Sequence, residues 1–149
     1  MRELEQKKIV FKTHSYVNTD AISGMEVASV LNEDPNYVFK TLVTIGKSGN
    51  HFVFLVPVNR ELNLKKAAKT VGEKSISMVK QAELLQLTGY IHGGCSPVGM
   101  KKLFKTVIDE SASSYDKIIF SGGKIGYQIE TTLSELKKAI SFILGDISE

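Results

Sequence analysis

Cysteine occurs once in the 149 residues, at position 95. A single thiol cannot close a disulfide within the chain, which excludes the disulfide-stapled secreted domains and fits a reducing compartment. Proline is confined to positions 35, 57 and 97, and no Pro/Ser-rich linker or internal repeat divides the chain. Long apolar runs are missing too. The longest, residues 52–58 with Pro57 inside it, falls far short of the ~20 residues that span a bilayer. The opening MRELEQKK carries no apolar core of the secretory type. Neither sign of charge dominates: 19 Lys+Arg against 16 Asp+Glu leave +3, which permits contact with a polyanion without demanding it. What is present is a globular balance, 42% apolar and 23% charged. A chain of this length buries roughly 68–70% of its unfolded surface without needing a disulfide or a metal. These features predict a soluble, intracellular protein with a single domain over residues 1–149 and no membrane partner.

Hydrophobic periodicity predicts a mixed α/β (α+β) fold. Residues 2–8 are charged and suit one short helix, and the β-branched and aromatic run to Tyr16 reads as a strand. Ser23 and Glu26 have capping-box spacing ahead of a helix over 24–31. Residues 38–45 and 51–58 flank Gly46-Lys47-Ser48-Gly49-Asn50 and predict a hairpin. Leu64, Ala67, Ala68 and Val71 share a helical face between Asn63, a suitable N-cap, and Gly72, a suitable stop. Ile76 and Met78 suggest a short strand, and residues 81–87 a short helix closed by Gly89. Strands are expected over 105–109, 117–120 and 127–130. A final helix is expected from the Thr132/Glu135 capping box, with Leu133, Leu136, Ile140 and Ile143 on one face up to Gly145. Interspersed strands and helices with a tight hairpin require antiparallel pairs rather than a purely parallel sheet.

Familiar catalytic sets are absent. His92 and Cys95 stand three apart, but zinc needs three or four ligands and no second pair lies nearby, so no metal is expected. One Cys near one His is a weak nucleophile signal, and a small residue in a loop explains Cys95 better. No Gly-x-Ser-x-Gly elbow and no Walker loop is present. Two glycine-rich loops remain, Gly93-Gly94-x-Ser96-Pro97-x-Gly99 and Ser121-Gly122-Gly123. Bare backbone N–H groups in such loops can cradle an anion or an oxyanion, although either loop alone is better explained as a tight turn. Lys40 opens a strand on the same side as Leu42 by the period-2 rule, where a lysine either meets an anion or snorkels to solvent. Lys101, Lys102 and Lys105 follow the first glycine loop and form a candidate RNA-binding rim. Lys65, Lys66 and Lys69 fit an ordinary solvated helix face.

Several stretches, in order, carry a resemblance. They are His14-Ser15-Tyr16, Val38-Phe39-Lys40-Thr41-Leu42, the lysine helix over 62–72, Thr88-Gly89-Tyr90-x-x-Gly93-Gly94-x-Ser96-Pro97-x-Gly99-x-Lys101-Lys102, and Ser121-Gly122-Gly123-Lys124-x-Gly126. Together they resemble the YbaK/EbsC family of bacterial aminoacyl-tRNA deacylases and the related editing domain of bacterial prolyl-tRNA synthetases. The resemblance implies a barrel-like β-sheet with surrounding helices, no cofactor, and deacylation in trans of Cys-tRNA(Pro), with prolyl-tRNA synthetase as a partner in a cytoplasmic setting. It assigns Lys40 to catalysis through positioning and electrostatics, since an unperturbed lysine is protonated at neutral pH. It places Tyr16, Thr41, Gly93, Gly94, Ser96, Pro97, Gly99, Ser121, Gly122 and Gly123 around the substrate. It further implies that the substrate's own cysteine thiol attacks its ester, leaving a thiolactone and free tRNA. Two departures concern the pocket. Ser23 stands near where relatives often have an aromatic residue, and Gln128 where they commonly have Asp. Both imply a wall that is larger or more neutral, which leaves the amino acid preference open. A deacylase for another small amino acid such as alanine, and a non-catalytic module binding tRNA ends or nucleotides, are the alternatives.

Overall fold

Residues 52–58 form an apolar run with no polar alternation, the pattern of a strand covered on both faces. The computed structural model, which describes residues 2–149 and side chains from Leu4 onward, places that run at the centre of the molecule. Strand β1 (Lys12–Ser15) follows helix α1 (Arg2–Gln6), and helix α2 (Gly24–Val30) comes next. Strands β2 (Phe39–Gly46) and β3 (His51–Pro57) form the hairpin, in register from Phe39–Pro57 to Ile45–His51. Helix α3 (Leu64–Val71), strand β4 (Ile76–Met78), helix α4 (Gln81–Thr88) and strand β5 (Lys105–Asp109) follow. The chain ends with β6 (Ile118–Ser121), β7 (Tyr127–Thr131), α5 (Leu133–Ala139) and β8 (Ile143–Gly145).

Two sheets result. The larger has the order β4-β2-β3-β5-β8, antiparallel around β2 and parallel from β3 through β5 to β8. The smaller is the antiparallel β1-β7-β6. Alternation along β3 supplies both faces of the larger sheet. Val53 and Leu55 join Phe39, Val43, Phe120 and Ile129 in a core shared with the smaller sheet. Phe52, Phe54 and Val56 pack with Ala67 and Ala68 of α3. Phe54 and Phe120 are fully buried. No helix among the described residues is long and apolar enough to cross a membrane.

The expected caps form. Ser23 and Glu26 make a reciprocal capping box on α2, Asn63 caps α3, and Gly72 and Gly89 end α3 and α4 in the left-handed region. At α5 only half of the expected box is made. Thr132 Oγ1 accepts from the Glu135 N–H, while the Glu135 carboxylate accepts from the Val10 N–H at 2.8 Å and ties down the N-terminal segment.

Two expectations are corrected. The last helix stops at Ala139, and residues 143–145 form β8. The helical spacing of Ile140 and Ile143 is overridden because the open edge of β5 captures this backbone in parallel pairing. The sheet is also not closed into a barrel: among the described residues the two sheets are joined by one parallel bridge, Val38–Ile119. β6 ends at Ser121, two residues past the bridge, so it does not continue along the β2 edge toward residues 44–46, where β4 pairs.

Asp109, almost fully buried at the end of β5, fastens the C-terminal segment. Its Oδ1 accepts from the Ile147 N–H at 3.2 Å and its Oδ2 from the Ser111 N–H at 3.3 Å. Burial by itself raises the carboxyl pKa, but hydrogen bonds from Ser111 and Ile147 outweigh it and hold the group below the ordinary value. A depressed carboxyl pKa gives stability that is present above the unfolded value of about 3.9 and is lost as pH falls through the folded value. Asp109→Asn is therefore expected to cost about 1.5–3 kcal/mol in urea melts at pH 7, with the gap to wild type closing below about pH 4. A gap that does not change with pH would contradict this role.

Candidate functional site

The outer edge of β2 is paired at both ends and open between them. In the β2–β3 ladder the Val58 N–H donates to the Val38 carbonyl at 2.8 Å. Antiparallel alternation then turns the backbone groups of residues 39, 41 and 43 toward the other edge. There the Val43 carbonyl accepts from the Val79 N–H at 3.2 Å, and the Val38–Ile119 bridge meets the smaller sheet. Thr41 lies between these two points. Its Oγ1 is buried and has no hydrogen-bond partner among the described residues.

A cavity of about 260 Å³ opens at this gap. The larger sheet contributes Lys40, Thr41 and Leu42, the smaller sheet Ser121 and Gln128, and α2 and α4 contribute Val27 and Leu84. Tyr16, His92, Gly93 and Cys95 reach it from loops. Tyr16 is fixed through its own N–H, which donates to the Gly126 carbonyl at 2.7 Å. Gly126 has φ +106°, and a Cβ there would lie 2.5 Å from Val17 Cγ1, so a side chain at 126 would dislodge the Tyr16 segment.

Of the residues singled out in the sequence, Lys40, Tyr16, Thr41, Gly93 and Ser121 meet at this cavity, as do Ser23 and Gln128. Lys40 shares the face of Leu42 as its spacing predicts. Its side chain is 28% exposed, with Nζ 3.3 Å from the Glu61 carboxylate, which is itself 79% exposed. Such a half-exposed pair contributes little and exchanges readily for another anion.

Gly94, Ser96, Pro97, Gly99, Gly122 and Gly123 are not part of the wall. The two glycine loops instead pack on each other. The Tyr90 hydroxyl donates to the Val98 carbonyl, and a Cβ at Gly123 would come within 3.0 Å of the Tyr90 ring. A Cβ at Gly94 would sit 3.4 Å from the Ile125 nitrogen. Lys101, Lys102 and Lys105 are exposed and lie outside the wall, with the Lys101 N–H donating to the Thr88 carbonyl.

Cys95 and His92 both line the cavity, but Cys95 finds Thr88 rather than the imidazole. Burial pushes its thiol up to about 11, only partly offset by the hydrogen bond with Thr88. The side chain is therefore a neutral wall element at pH 7, not a thiolate.

A charged group missed in the sequence lies on the same face of β7 as Gln128. Glu130 accepts from His14 Nε2 at 3.0 Å, and Lys117 Nζ stands 3.3 Å from both Glu130 and Glu33. Burial raises the Glu130 carboxyl, but His14 and Lys117 more than offset this and hold it below the usual range. His14, Glu33 and Glu130 bring ligand atoms within 4.8 Å of one another, yet the Lys117 ammonium already supplies the cation there. Cross-strand pairing of His14 with Gln128 and of Lys12 with Glu130 creates the group, and no short motif marks it.

The aminoacyl-tRNA editing domain family matches residues 19–139, about four-fifths of the chain. The chain belongs to this family. A candidate Cys-tRNA(Pro)/Cys-tRNA(Cys) deacylase of Enterococcus faecalis, EbsC, is 45% identical over 131 residues, covering 87% of this chain and 80% of that protein. The proline–tRNA ligase of Thermosipho melanesiensis is 31% identical over 117 residues, which span 78% of this chain but 20% of the ligase. A crystal structure described as a candidate trans-editing enzyme for prolyl-tRNA synthetase superposes with a TM-score of 0.87 at 26% identity, covering 99% of this chain and 93% of the other. The editing-domain fold is thus shared by free-standing and synthetase-borne relatives, and every residue lining the cavity except Tyr16 lies within the matched segment.

The buried thiol yields a direct test. Labelling of Cys95 by iodoacetamide at pH 8 should be about a hundredfold or more slower in the folded chain than in urea, because the thiolate is scarce. Equal rates would contradict a neutral, buried Cys95.

Proposed function

We propose that this protein is a trans-acting deacylase that clears cysteine from mischarged tRNA(Pro) in the cytoplasm. The observation that carries the reading is the meeting of Lys40, Thr41 and Ser121 of the editing-domain segment, with Tyr16 from just before it, at one cavity. The name of its EbsC relative supports the substrate, and the ligase matches support a functional link to prolyl-tRNA synthetase. The trans-editing neighbour, of nearly the same extent, supports action in trans.

The chemistry suits this geometry. The substrate is an ester on a terminal ribose beside phosphates. Lys40 leaves Glu61 for a substrate phosphate or ribose oxygen, and the open β2 edge at Thr41 offers backbone groups to the ribose. Water-poor walls strengthen these contacts and fix the ester's orientation. Cys95 is held as a neutral thiol, and on this reading the nucleophile is the substrate's own thiol, as the family resemblance implies. Its cysteine sulfur attacks the ester carbonyl, the C–S bond forms, and the C–O bond to the ribose breaks. The thiol proton passes to the departing ribose oxygen, and the thiolactone is hydrolysed by water. The glycine loops act on this reading as the frame that holds Gly93 and Ser121 at the wall.

A panel of Cys-, Ala- and Pro-tRNA(Pro) with the purified protein should show release of cysteine well above buffer, with alanine and proline retained. Lys40→Ala should slow cysteine release about a hundredfold or more while the melting curve barely shifts, because a half-exposed strand-end lysine adds little packing. Release of alanine in place of cysteine would replace the substrate. Binding of all three without turnover would replace the enzyme with a binding module. For the rim, tRNA affinity should fall steeply as salt rises, and Lys101→Ala with Lys102→Ala should flatten that slope. A slope already flat in the wild type would contradict an RNA contact there.

A further inference from the structure

Gln128 lies on β7, the middle strand of the smaller sheet, opposite Ser121 on β6 and His14 on β1. The residue is 7% exposed and lines the cavity. Buried amides are normally hydrogen-bonded. No side-chain hydrogen bond engages this one among the described residues, and its polar atoms are not sealed off, so it is open to the cavity, whereas Glu130, two residues along the same face, is held by His14 and Lys117. The Thr41 hydroxyl, on the other sheet, is enclosed and also lacks a partner among the described residues. A polar ligand group in the cavity would complete the amide.

The chemistry of the wall selects that group. Among the described residues lining the cavity none is Asp or Glu, and Lys40 is the cation. An aminoacyl ester brings anionic phosphates at one end and an α-ammonium at the other. Lys40 attracts the first and repels the second. Ser121 Oγ already accepts from the Gly123 N–H at 3.2 Å. The Gln128 carbonyl oxygen is a free acceptor on the other sheet from Lys40, and its amide N–H₂ can also donate to an unprotonated amine. We propose that Gln128 holds the α-amino group of the bound aminoacyl moiety, so that Lys40 and Gln128 set the two ends of the substrate and the cavity selects amino acids over plain acyl groups. This rests on the deacylase reading and names a specificity-determining residue for it. Because the amide does not titrate, this recognition persists at acidic pH, where a carboxylate would lose it.

Two hydrolysis-resistant probes test this, each a CCA-ended RNA with a 3′-amide in place of the ester. One carries cysteine, and the other carries 3-mercaptopropionate, which is cysteine without its amine. Wild type should bind the cysteinyl probe about tenfold or more tighter than its partner. Gln128→Leu should bring the two within about threefold, through weaker cysteinyl binding alone. Gln128→Glu should keep or widen the preference and lose it as pH falls through the carboxyl range, and it decides the matter if the Leu variant does not fold. The assignment is overturned if wild type shows no preference, if Gln128→Leu retains it, or if neither probe binds. Since binding is read without turnover, a chain that distinguishes the probes yet cleaves no ester would overturn the deacylase reading and leave Gln128 in place.

Discussion

The unpaired stretch of β2 is the constraint on which the site depends. One edge of this strand is fully laddered to β3. On the other edge β4 pairs with residues 44–46, and among the described residues the smaller sheet bridges its backbone only at Val38. A backbone edge left between these two contacts needs polar partners, and a deep apolar wall around it excludes water from supplying them freely. The same failure of the two sheets to close thus yields an open fold and a cavity with directed backbone groups. Lys40 and Thr41, adjacent on the strand and facing opposite sides of the sheet, both reach the cavity because it sits at the edge rather than over a face.

The character of the walls then limits the chemistry. The buried thiol of Cys95 is pushed up by desolvation, so it behaves as a small apolar surface. The acidic side chains nearest in the fold are spent elsewhere. Glu61 holds Lys40 at the rim, Lys117 pairs with Glu33 and Glu130, and His14 hydrogen-bonds to Glu130. What remains is a site of positioning groups, suited to a substrate that carries its own nucleophile.

Much of the architecture is legible from local pattern. The hairpin over residues 38–58, the α2 capping box at Ser23 and Glu26, and the Asn63 and Gly72 limits of α3 all follow from short-range rules, and tertiary packing agrees with them. The errors arise where distant chain decides. Ile143 fits a helical stripe, but β5 offers an unpaired edge and the backbone takes it. The glycine loops look like anion nests, since glycine spacing reports only that bare backbone is required; here the requirement comes from Tyr90 packed between the two loops. The Glu33–Lys117–Glu130–His14 group is invisible to sequence reading, because its members come from four separate segments. Lys40 and Tyr16 are legible as site residues from the ordered resemblance, whereas the free amide of Gln128 emerges only once its burial is known.

Backbone amide shifts on titration with a hydrolysis-resistant cysteinyl-adenosine 3′-amide test the central claim most directly. Binding at the β2 gap predicts that the largest changes fall on Thr41, Gly93, Ser121 and Gln128, from both sheets at once. Changes confined to one sheet, or to the exposed lysine surface away from Thr41, would contradict it.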